Sequence, residues 1–197
     1  MKKSLIVTGA ASLALAAMPV LGAFAAVTDT VTLTIDGSCS VGGSAGSSSN
    51  TGNTFTEEHA TNSQLYSWDA DETNGGTLKV SCNDASGWKV LAVGSGTGAA
   101  VTNMDATGSG TEIVTGTATS GPTSNWAFKV AGTTGVTVAG NYGSYAAVPG
   151  TATKVASGAA SISEGTIYTG YQVWVSATQQ ADTYTGKVTY TIAEGQN

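Results

Sequence analysis

The sequence has no arginine, one histidine, two cysteines and three prolines, and charged residues fill only 10% of its 197 positions. Each scarcity excludes something. Without a guanidinium or a cluster of lysines, the chain lacks the cation density that dominates nucleic-acid affinity. A catalytic serine or cysteine needs an activating base, normally a histidine held by a carboxylate, and only His59 is present. Gly42-Gly43-Ser44-Ala45-Gly46 matches the letters of a nucleophile elbow but sits in a loose Gly/Ser tract, not between a strand and a helix. Two cysteines and one histidine fall short of the usual four zinc ligands. The stretch Gly94-Ser95-Gly96-Thr97-Gly98 has no following lysine and no helix to open, so it reads as a turn, not a phosphate cradle.

At the N-terminus, Lys2 and Lys3 precede an apolar run from Leu5 to Phe24 that closes on Ala23-Phe24-Ala25 before Ala26. A basic start, an apolar stretch and an Ala-x-Ala site are the marks of a secretory signal helix, predicting cleavage after residue 25. The competing reading is a retained membrane anchor, since the run approaches spanning length. Cleavage would leave one domain, residues 26–197, large enough to bury roughly 70% of its unfolded surface. That mature chain keeps five lysines against 13 acidic residues, a net of −8, and would be repelled by an anionic membrane. It contains no second long apolar segment, so no membrane span is expected after cleavage. The predicted location is extracellular or on the cell surface. In an exported chain two cysteines can pair internally, and a Cys39–Cys82 disulfide is predicted; a pair of buried free thiols is the alternative.

The side-chain pattern repeats every second residue. Val31, Leu33 and Ile35 alternate with threonines across Val27–Ile35, and Ser40–Thr54 then forms a polar tract read as a mobile loop. Leu78, Val80 and Cys82 share one strand face. Asn83–Gly87 supplies turn chemistry, and Trp88–Val93 resumes extended structure, so the two are predicted to form a hairpin. Between Gly94 and Gly121 one short edge strand over Glu112–Thr115 is expected. Trp126, Phe128 and Val130 mark the next strand, and Val136 and Val138 a weaker one. Tyr171, Val173, Val175 and Ala177 lie opposite Gln172, Trp174 and Ser176. Tyr184, Val188, Tyr190 and Ile192 alternate with polar residues in a last strand. No segment after the signal keeps a helical period. Seven to nine short strands with polar turns predict an all-β, two-layer antiparallel sandwich, Ig-like in class.

Two segments, Leu78–Val90 and Ala181–Ile192, resemble the signature regions of WxL-type bacterial surface domains, where a strand, an Asn/Asp/Gly turn and Trp-x-Leu precede a terminal Tyr-Thr strand with a second Trp-x-Leu. Here Trp88-Lys89-Val90 and Tyr190-Thr191-Ile192 occupy the two motif positions, which makes Trp88, Val90, Tyr190 and Ile192 the family-motif residues. The chain is also similar to small, uncharacterised exported proteins of reduced-genome bacteria, in its Cys-Asn-Asp-x-x-Gly-Trp stretch and its Tyr-Thr-Gly-x-Val-Thr-Tyr ending. The WxL resemblance implies non-covalent attachment to cell-wall peptidoglycan.

The residues themselves single out few contacts. Trp174 stands opposite the Tyr171–Val175 face, free to stack on a sugar ring or join a partner if that face is the core; if both faces of a central strand are covered, it is packing. Tyr142 and Tyr145, in a Gly/Asn/Ser loop, are further contact candidates or plain loop packing. Asp69, Asp71 and Glu72 form the one acidic cluster, a weak candidate for a hard cation that lacks the EF-hand pattern. No cofactor is expected. The favoured reading is a secreted, non-enzymatic envelope protein that binds cell-wall glycan or other surface proteins. A homo-oligomer built by donation of Val27–Ile35 or Tyr184–Ile192 to a neighbour's sheet edge competes with it. A glycan-active enzyme using Asp69, Asp71 or Glu164 stands third.

Overall fold

Alternating apolar and polar side chains become strands wherever one face can be buried, and every regular element described is one. The computed structural model describes residues 39–42, 63–70, 76–159 and 162–195. The signal segment, the Val27–Ile35 strand, most of the polar tract, His59, Asp71 and Glu72 lie outside the described residues.

Twelve strands are described: β1 (Cys39–Gly42), β2 (Gln64–Trp68), β3 (Gly76–Cys82), β4 (Trp88–Gly94), β5 (Asp105–Ala106), β6 (Val114–Thr115), β7 (Asn125–Gly132), β8 (Thr137–Val138), β9 (Thr153–Gly158), β10 (Ile162–Val175), β11 (Tyr184–Thr185) and β12 (Val188–Glu194). The larger sheet runs β1-β3-β10-β7-β6, and β2 joins β10 beyond the end of β3. A second sheet runs β12-β4-β9-β8, and β5 and β11 form a two-stranded ribbon. Every pairing is antiparallel except β6 with β7.

The 14-residue β10 organises the larger sheet. Along one edge it pairs first with β3 and then with β2, and along the other with β7. Its Ile167 and Val173 join Leu78 and Val80 of β3, Trp126, Phe128 and Val130 of β7, and Trp88, Val90, Val155 and Ala156 of the second sheet in one buried cluster. Burying such side chains is the main favourable term of the fold.

The predicted hairpin across Asn83–Gly87 does not form. β3 is flanked by β1 and β10, whereas β4 is flanked by β12 and β9, so the turn carries the chain from one sheet to the other. The local turn chemistry is as expected: Asp84 Oδ1 accepts from the Ser86 amide at 2.6 Å, and Gly87 takes a φ of 88° that favours glycine. Alternation gave Leu78–Cys82 and Trp88–Val93 their buried faces, but in β7 and β10 both faces are covered at Ala127 and Gln172, and a face does not name a neighbour.

Other differences share that cause. Ser40–Gly42, expected in the mobile tract, instead joins Cys39 in a strand paired with β3, with Cys39 opposite Cys82. The Cys39–Cys82 disulfide is formed and ties the two strands. The expected terminal strand is split between β11 and β12 at Gly186, where a Cβ would stand 2.7 Å from Trp126 Cη2. β2, β5, β9 and the first half of β10 were not foreseen, so the stretch from Gly94 to Gly121 holds two short strands where one was expected. β9 in particular is Thr-Lys-Val-Ala-Ser-Gly, too small in its side chains to show a period.

Candidate functional site

Residues paired across a ladder share a face of their sheet, so the register of β10 defines what stands on the side away from the buried cluster. There Trp174 lies between Leu65 of β2 and Asn125 of β7, and Asn125 is in turn paired with Val114 of β6. This makes a row of four across four strands. Leu65 is 41% exposed and Val114 42%, while Asn125 is 6% exposed. The next row is Ser67, Gln172 and Ala127, and the one after places Gly170 beside Lys129.

Trp174 is half-buried, and its indole Nε1 donates to the Gly121 carbonyl at 3.2 Å. The loop before β7 thereby fixes the ring's orientation. Beside it, the backbone amide of Ser176 donates to Ser124 Oγ at 2.9 Å. Gly116 leaves room for Asn125, because a Cβ there would stand 3.2 Å from the Asn125 Cβ.

Further along the same face Lys129 Nζ meets Asp69 Oδ1 at 2.5 Å. Tyr145 completes the group: its ring centroid is 4.7 Å from Lys129 Nζ, and its hydroxyl donates to Asp69 Oδ1 at 3.3 Å. At the far end Lys79 Nζ bonds Glu164 at 2.8 Å and Thr166 Oγ1 at 3.0 Å. That pairing holds the Glu164 carboxyl below its usual range. The lysine charges of this face are therefore each matched by a carboxylate.

The structure thus brings Trp174, Tyr145 and Asp69 onto one face, with Glu164 at its far end, and places the other described candidates elsewhere. Tyr142 packs on Phe128 with ring centroids 5.2 Å apart, and burial raises its hydroxyl pKa. Trp88 and Val90 are fully buried. Tyr190 and Ile192 pack against the core; the Tyr190 hydroxyl is 3.4 Å from that of Tyr171, and burial beside it pushes the Tyr190 pKa well above the usual tyrosine range.

The carboxylates outside this face hold loops. Asp105 accepts from the Thr97 amide and hydroxyl at 2.6 and 2.8 Å and from the Gly98 amide at 2.8 Å, which keeps its pKa low. Glu112 accepts from the Ala99 amide at 2.7 Å and from Asn103 Nδ2 at 3.0 Å. Asp182 gathers the amides of Gly108, Gly110 and Thr183, and its pKa is lowered by them. Among the described residues no group of three histidine, cysteine, aspartate or glutamate side chains is arranged to hold a metal ion.

Alternation already placed Gln172 beside Trp174, whereas Leu65 and Asn125 were missed as members of the face and enter only through ladder register. No protein-family model, curated protein or solved structure matches this chain.

Proposed function

We propose that this chain is a secreted, non-enzymatic component of a bacterial surface or envelope, folded as a two-layer sandwich, that holds cell-wall glycan non-covalently on the outward face of its larger sheet. The observation that carries the reading is the placement of Trp174 on the side away from the core, in line with Leu65 and Asn125. Tyr145 lies further along the same face, beside Lys129, four β7 residues from Asn125 and so about 13 Å away at the usual strand rise. Two aromatic rings spaced along a sheet suit a chain of sugars, which offers an apolar ring face to stack and hydroxyls to bond. The disulfide fits an oxidising compartment.

The test is sedimentation of the purified, oxidised protein with and without isolated cell walls. Pelleting only with walls is the expected result, and Trp174→Ala should abolish it while leaving the melting temperature nearly unchanged. A large fall in melting temperature would instead make Trp174 a packing residue, and a wild-type protein left in the supernatant would refute the reading.

A second reading rests on β12, the last strand in its sheet order, whose one ladder partner among the described residues is β4. A regular seven-residue edge suits strand addition by another copy. Because β12 is already paired with β4, it acts as acceptor here, not donor. Filaments in electron micrographs of the protein without walls would favour this reading over attachment.

A further inference from the structure

We draw no further inference here: the strongest candidate, the exposed loop tip of Ala99, Ala100 and Val101 between β4 and β5, held from beneath by the Asp105 and Glu112 carboxylates on the Gly98 and Ala99 amides, is a small apolar patch beside an acidic pair, and nothing in the structure shows what covers it.

Discussion

Gly158 sits opposite Trp88 in the β4–β9 ladder, and a Cβ built on it would fall within the Trp88 indole, against Cε2, Cζ2 and Nε1. Gly158→Ala is therefore a test of how tightly this part of the core is packed. In an open strand the change would stabilise by about 0.5–1 kcal/mol, because alanine loses less backbone freedom on folding. Here the added methyl meets a fully buried ring with nowhere to swing, and overpacking of that kind costs about 3 kcal/mol. The second effect wins, leaving a net loss of about 2 kcal/mol. For a chain of this size that lowers the melting temperature by about 4–8 °C. Urea titration followed by far-UV circular dichroism should show a lower midpoint at unchanged slope. The same substitution made with Trp88→Phe, whose smaller ring lacks the clashing atoms, should cost almost nothing, a coupling of more than about 1 kcal/mol between neighbours. A Gly158→Ala protein as stable as the wild type, or an equal loss in both backgrounds, would refute the packing argument.

Replacing both cysteines by alanine removes a crosslink between residues 43 apart in sequence and should cost about 4 kcal/mol through the entropy of the unfolded chain, read as a fall in the urea midpoint of the variant against the oxidised wild type. Acid should loosen the loops held by carboxylates. Asp182 has a folded pKa below its reference of 3.8, so its contribution is complete above that value and is lost as pH falls through the lower folded pKa. Asp182→Asn should speed hydrogen exchange at the Gly108 and Gly110 amides at neutral pH and flatten the acid limb of the stability curve. Unchanged protection at those two amides would show that the carboxylate does not hold the loop.

What could be read without the structure was whatever depends on a side chain's own period. Leu78 to Cys82, Trp126 to Val130 and Tyr171 to Val175 announce strands and buried faces because a half-covered strand must alternate. With two cysteines, the disulfide followed from counting. Where small residues carry the strand, as in Thr153–Gly158, alternation gives no contrast, and the reason Gly158 must be small, the Trp88 indole, lies 70 residues away.

Pairing was a different matter. The backbone N–H and C=O groups that make a ladder are the same at every residue, so the partner of a strand is chosen by how whole sheets bury their faces together. That choice turned Asn83–Gly87 into a passage between sheets, placed β2 and β3 end to end along β10, and set Leu65, Trp174, Asn125 and Val114 in one row. The sequence by itself determined the all-strand character, the crosslink and which side of the last long strand Trp174 occupies. Tertiary structure alone decided its neighbours, because register is a long-range property of packing, whereas the face of a residue is a local property of the extended chain.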